Sequence, residues 1–185
     1  DLYRRDTGRT GRELGYVRTH PAEDVIDEIA YLLANYERID TFIFDDDIFT
    51  LDKDYLRRVC EGYRCVSDRP FVCNAHVRFF DAETAAILKR AGCRMVKFGL
   101  ESGSPRVRTQ IMHRHMDNAD IAEAFEAAQN AGLETSAFVM LGLPGETLED
   151  LDLTVELLAQ IRPSRFRWSI FFPFVNTDAY DMSRE

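Results

Sequence analysis

Five short apolar runs, each ending on an abrupt polar or glycine-rich tip, alternate with amphipathic helical patterns along the chain. The runs are Thr41 to Asp47, Phe71 to Arg78, Met95 to Gly103, Ala137 to Glu146 and Phe166 to Pro173. Before the first run, Val25, Ile26, Ile29, Leu32, Leu33 and Tyr36 recur at helical spacing. Pro21 suits a first helical position, with Glu23 and Asp24 in the first turn. Leu56, Val59, Cys60 and Tyr63 mark the next helix, and Ile87 and Leu88 a third, capped by Asp81. Leu151, Val155, Leu158 and Ile161 mark the last long one, where Thr147 and Asp150 form a capping-box pattern. Ala91-Gly92 and Ala131-Gly132 each close a helix directly before a strand, as glycine does in the left-handed conformation.

Strand-helix alternation predicts an α/β fold with parallel strands. Parallel strands bring their C-terminal ends to one rim, where such folds bind ligands. The five tips are therefore expected to converge, and that convergence is the main functional signal. No low-complexity linker interrupts the pattern, so residues 1–185 read as a single domain, with an array over 21–180. The array opens on a helix, whereas a helix on a parallel sheet normally follows the strand it connects from. The chain also starts at Asp1, not Met. The expectation is that a first strand lies upstream and that this is a piece of a longer protein.

The chain is 45% hydrophobic, enough for a normal core. Its net charge of -9 disfavours a broad nucleic-acid footprint, which needs a basic face. Arg4, Arg5, Arg9, Arg12 and Arg18 are locally basic, either as an anion contact or as solvated charge. No apolar run approaches the ~20 residues of a membrane span, and the start has no signal-peptide pattern. Cys60, Cys65, Cys73 and Cys93 are scattered without metal-ligand spacing, so buried reduced thiols and a cytoplasmic location are expected.

Asp45, Asp46 and Asp47 are consecutive carboxylates at the end of a fixed strand. Alternation puts Asp45 and Asp47 on one face and Asp46 on the other. Either a cation answers them or they form a solvated loop. Asn74, His76 and Arg78 are expected to alternate onto one face, offering an amide, an imidazole and a planar fork. Glu101-Ser102-Gly103 reads as a carboxylate that could hold ribose hydroxyls, or as a serine cap with a turn glycine. His113 and Arg114 lie in a basic, irregular stretch within reach of the rim. Gly142-Leu143-Pro144-Gly145-Glu146 is a compact turn whose glycines allow close backbone approach to a flat ligand.

In this order and spacing, Phe44 to Asp52, Cys73 to Arg78, Ala91 to Gly103, Met140 to Thr147 and Pro173 to Tyr180 resemble the radical S-adenosylmethionine superfamily. They resemble in particular members with a separate N-terminal cobalamin-binding domain. The likeness runs from about Tyr16 to Tyr180. It implies a partial (β/α) barrel related to the TIM barrel, with its first strand missing. It also implies S-adenosylmethionine bound across the strand tips against a 4Fe-4S cluster, whose reductive cleavage gives a 5′-deoxyadenosyl radical. On that likeness Asp46 and Asp47 face the methionine amine. Asn74 and Arg78 face its carboxylate or the ribose, Glu101 with Ser102 forms the ribose tip, and His113 or Arg114 meets the carboxylate. Gly142, Pro144 and Gly145 lie beside the adenine. The substrate would be a small molecule, and cobalamin, if used, would sit in an upstream domain.

The family's Cys-x3-Cys-x2-Cys loop is absent from the sequence. Cluster ligands are therefore expected upstream of Asp1, with residues 1–20 following that loop, and this chain alone is expected to hold no cluster and to be inactive. Two other readings remain open. One is a divalent-metal barrel lyase or hydrolase using Asp45, Asp46, Asp47 and Glu101 as oxygen ligands. The other is a non-catalytic scaffold of the same fold.

Overall fold

The computed structural model describes residues 18–184; Arg4, Arg5, Arg9, Arg12 and the lead segment to residue 17 lie outside them. Helix α1 (Ala22–Asn35) precedes strand β1 (Phe42–Phe44). There follow α2 (Lys53–Val66), β2 (Phe71–Ala75), α3 (Ala82–Arg90), β3 (Cys93–Glu101), α4 (Asn118–Asn130), β4 (Glu134–Leu141), α5 (Leu148–Ile161), β5 (Arg165–Ile170) and a short α6 (Asp178–Met182). The strands pair in sequence order, β1-β2-β3-β4-β5, and every pair is parallel. One buried cluster joins α1 to α5 to a single face of the sheet, through residues such as Ile29, Leu56, Leu88, Phe125 and Leu157 against Phe71, Val96, Phe98 and Ala137. Sequential parallel order with the helices on one face is barrel winding, and the sheet is not closed, so the molecule is a partial barrel.

Local signals explain the boundaries. The Asp52 carboxylate accepts from the backbone of Asp54 and Tyr55 at the start of α2. Asp81 does the same for Thr84 at 2.8 Å. Thr147 and Asp150 make the expected capping box, and Asp117 and Asp120 a second one before α4. Gly92 and Gly132 close α3 and α4 in the left-handed region that glycine adopts freely.

An apolar strand such as β1 suggests cover on both faces, and Asn74 to Arg78 suggests one alternating strand; both readings need correction. β1 is apolar but covered on one face only. Phe42 and Phe44 pack on Tyr63, and Phe44 on Phe71, while Ile43 is 63% exposed because its face lines the open side of the sheet. β2 stops at Ala75, and a 3₁₀ turn over Val77–Phe79 follows. The turn ends the period-2 alternation, so Arg78 does not share a face with Asn74. Its side chain instead donates to the His115 carbonyl.

Beyond β4 the covering layer thins. β5 alternates Phe166, Trp168 and Ile170 with Arg165, Arg167 and Ser169, and all six residues are exposed.

Candidate functional site at the strand rim

The C-terminal strand ends surround an open cleft of about 490 Å³, in the range of small-molecule sites. Asp45 and Asp47 reach it from the β1 tip, Asn74 and His76 from β2, and Lys97, Gly99 and Glu101 from β3. Phe138 lines it from β4, and Arg114 enters from the loop after β3.

The β3 tip is the most determined part. Glu101 is held at a positive φ, in the left-handed region. That conformation costs on the order of 1 kcal/mol for a residue with a Cβ. The register shifts between Gly99 and Glu101. The carboxylate then folds back over Gly99, where an added Cβ would lie 2.5 Å from Glu101 Oε1. Arg114 Nη1 donates to that oxygen at 3.0 Å. Burial pushes the Glu101 carboxyl above its ordinary value, and the Arg114 charge only partly offsets this.

Arg114 is delivered by a loop that a buried cation pins. Arg108 is fully buried in a single π-helical turn, Val107–Ile111. Its guanidinium donates to the carbonyls of Ser102 (2.6 Å) and Met116 (3.3 Å) and to Asn118 Oδ1. Neutral acceptors therefore satisfy it, and they tie the loop's two ends together. The Arg114 backbone N–H donates to the Arg108 carbonyl at 2.7 Å.

A second hub is Asp150. Its buried carboxylate accepts from Ser104 Oγ (2.6 Å), from the Thr147 N–H (2.9 Å) and hydroxyl (3.0 Å), and from Arg106. Burial alone would raise this carboxyl, but the donors outweigh it and hold the group well below the usual carboxylate range. Thr154 Oγ1 meanwhile accepts from the Gly103 N–H at 2.8 Å. Gly103 is fixed as glycine here, because a Cβ would overlap the Leu153 carbonyl and Thr154 Cα.

The β1–β2 side is looser. Asn74 Nδ2 donates to the Asp46 carbonyl at 3.0 Å and to Asp45 Oδ1 at 3.3 Å, pinning the acidic triplet. The Lys97 ammonium lies 3.8 Å from Asp45 Oδ1, an ion-pair distance. His76 Nδ1 accepts from the Arg78 N–H at 3.2 Å. Burial, then Arg114 and Arg78, lower its pKa, so the imidazole is neutral at pH 7.

Of the residues singled out in the sequence, Asp47, Asn74, Glu101 and Arg114 come together at the cleft. Asp46, Arg78, Ser102, His113, Gly142, Pro144 and Gly145 do not line it. Ser102 is buried against Thr154, and the left-handed His113 is exposed. The turn from Gly142 to Glu146 closes on itself, with Glu146 Oε2 accepting from Gly142 N at 2.7 Å. Gly145 meets the β3 loop by accepting from Arg106. Asp45 and His76 line the cleft without having been favoured. Lys97 was missed altogether, although its signal was present: a charge in the middle of the apolar run Met95 to Phe98, on the same period-2 face as Gly99. Arg108 gave no sequence signal for its buried network, and Asp150 signalled its cap with Thr147 but not its contacts with Ser104 and Arg106.

The free cysteines do not converge on this rim; Cys60, Cys73 and Cys93 are buried in the helix-covered core and Cys65 is exposed on α2. Among the described residues, no three His, Cys, Asp or Glu side chains are grouped to hold a metal ion, and no helix is long and apolar enough to cross a membrane.

Comparison with known proteins agrees with this fold. An uncharacterised methyltransferase of Pyrococcus horikoshii is 28% identical over 169 residues, which cover 89% of this chain and 36% of that protein. Cytidylyl-2-hydroxyethylphosphonate methyltransferase of Streptomyces wedmorensis is 24% identical, over 76% of this chain and 27% of that one. The chain thus spans about a third or less of these relatives' lengths. The radical S-adenosylmethionine methyltransferase TsrM of Kitasatospora setae, solved with cobalamin and a 4Fe-4S cluster, superposes with a TM-score of 0.70 at 21% identity, over 80% of this chain and 30% of that one. Coproporphyrinogen III oxidase of Escherichia coli gives 0.70 at 17%, over 89% and 40%. At these identities the solved structures establish the fold. The model of the radical SAM superfamily matches residues 3–158, most of the chain, and the chain belongs to that superfamily.

Proposed function

We propose that this chain is the S-adenosylmethionine-binding core of a radical SAM enzyme, of the cobalamin-associated methyltransferase or cyclase type, acting on a small molecule. The observation that carries the reading is the meeting of Asp47, Asn74 and Glu101 in one cleft at the strand C-terminal ends of a superfamily member. The side chains fit the ligand's charges. Asp45 faces Lys97 and Glu101 faces Arg114, which leaves Asp47 as the cleft carboxylate with no cation partner among the described residues. An ammonium is what that position favours. Glu101 can accept from ribose hydroxyls once Arg114 shares it, and Arg114 or the neutral His76 can donate to a carboxylate. When bound, S-adenosylmethionine supplies the precursor of the 5′-deoxyadenosyl radical; the protein contributes position and electrostatics.

The described cysteines do not fit a cluster. Three are buried away from the cleft, and burial pushes the Cys60 thiol up to about 12, so it resists forming the thiolate a metal needs. Cluster thiolates would come from outside this chain, so no step is assigned through the cluster. Anaerobic reconstitution of the 185-residue chain with iron and sulfide is expected to give no stable 4Fe-4S absorbance; a stable brown species would refute that assignment. Calorimetry with S-adenosylhomocysteine tests the binding reading. Binding weakened in Glu101→Gln, and by a smaller factor in Asp47→Asn, supports it, and unchanged affinity in both overturns the site. The divalent-metal alternative loses its support, because the acidic triplet and Glu101 do not form a metal-binding group.

A further inference from the structure

We infer that a second recognition patch, formed by Lys97, Phe138 and Arg167 on the inner face of the sheet, takes an oxyanion of the substrate, a carboxylate or a phosphate. It rests on the reading above only in assuming that Asp47, Asn74 and Glu101 are taken by S-adenosylmethionine.

The orientation follows from register. Gly99 pairs with Phe138, and Phe138 with Arg167. Paired residues of neighbouring parallel strands point to the same face. Gly99 and Phe138 line the cleft, so Arg167 stands on the cleft face at their level. The strict alternation of β5 fixes this, since Phe166, Trp168 and Ile170 occupy the opposite face and a one-residue slip would exchange the two sets. Lys97 lies one pleat below Gly99 on the same face. Two strand spacings separate β3 from β5, roughly 10 Å. Two long side chains can close that gap over the ring of Phe138.

Charge points the same way. The β1–β3 side holds three carboxylates, Asp45, Asp47 and Glu101, against Lys97 and Arg114. The β5 side holds cations. Arg165 is answered by Glu134 at 3.4 Å. Arg167 makes no ion pair or hydrogen bond among the described residues. The Lys97 ammonium is an ion-pair partner of Asp45 but stands too far from it for a hydrogen bond, so its donors remain available. A guanidinium fork, an ammonium and an aromatic ring between them recognise a planar or compact oxyanion carried on an apolar group.

The test uses phenyl phosphate and benzoate as probes, with benzyl alcohol as the uncharged control, titrated by calorimetry into the chain with S-adenosylhomocysteine present. One or both anions should bind more tightly than benzyl alcohol, and the tighter one identifies the group. Arg167→Gln should weaken anion binding about ten-fold and Lys97→Met by a smaller factor. Arg64→Gln on α2 should change nothing, and S-adenosylhomocysteine affinity should be kept in Arg167→Gln. Arg167 is exposed, so its replacement does not threaten the fold. Anion binding no tighter than benzyl alcohol, or unaltered by Arg167→Gln, overturns the inference. So does displacement of S-adenosylhomocysteine by phenyl phosphate, since the anion would then share its site. If S-adenosylhomocysteine fails to bind while phenyl phosphate binds through Arg167, the patch stands and the cofactor reading falls.

Discussion

The two halves of the rim are built differently. On the β3–β4 side, Glu101 and the loop to Asn118 hang from buried polar hubs: Arg108, Asp150 and Thr154. Almost every polar atom there has a partner inside the protein, and such networks fix geometry because leaving one member unpaired is costly. On the β1–β2 side, Asp45, Asp46 and Asp47 are exposed and held mainly by one asparagine. Their contribution is charge, delivered without a rigid frame. One half of the mouth therefore positions and the other attracts, and substitutions should separate accordingly.

The largest effect is expected from Asp150→Ala. It strips the acceptor from Ser104, Thr147 and Arg106, and should cost about 3 kcal/mol of stability, read from the urea midpoint. If Asp47→Asn costs as much, the contrast between the halves is wrong. Next, Glu101→Gln should weaken S-adenosylhomocysteine binding about ten-fold, or about 1.4 kcal/mol, with no loss of stability at pH 7. The sign follows from the raised carboxyl: a folded value above the unfolded one stabilises the fold at low pH, and that stability is lost as pH rises through the folded value. The neutral amide avoids this loss, so any stability gain over the parent should vanish near pH 4.

Asp47→Asn should lower affinity about three-fold at low salt and less at high salt, because an exposed charge is screened. The smallest effect is expected at His76. Its lowered value means the unfolded chain takes the proton first. Its contribution is full above about pH 6.5 and is lost as pH falls through the folded value. His76→Asn keeps an acceptor for the Arg78 N–H and should flatten the thermal-denaturation slope between pH 7 and pH 5. An unchanged slope would remove His76 from that role.

The fold was legible because its signals are local. Apolar runs, capping carboxylates and Ala-Gly helix ends each depend on residues within a few positions, and all appear where expected. The site was legible at Asn74, inside a strand, and at Asp47 and Glu101, where a carboxylate follows an apolar run at a strand tip. It failed where the chain leaves the strand: the 3₁₀ turn after Ala75 redirects Arg78, and alternation could not foresee it. The network of Arg108, and the partners of Asp150 beyond its cap with Thr147, were invisible for another reason. Those partners lie outside the residue's own helix, up to 46 positions away for Asp150, and a single sequence carries no sign of such pairing.

Trp168 is the chain's single tryptophan, and it stands 61% exposed on the uncovered outer face of β5. Its indole thus serves as a natural optical gauge. Emission should be long-wavelength and readily quenched by iodide in this chain, and should turn blue and shielded in any larger assembly whose polypeptide closes over that strand.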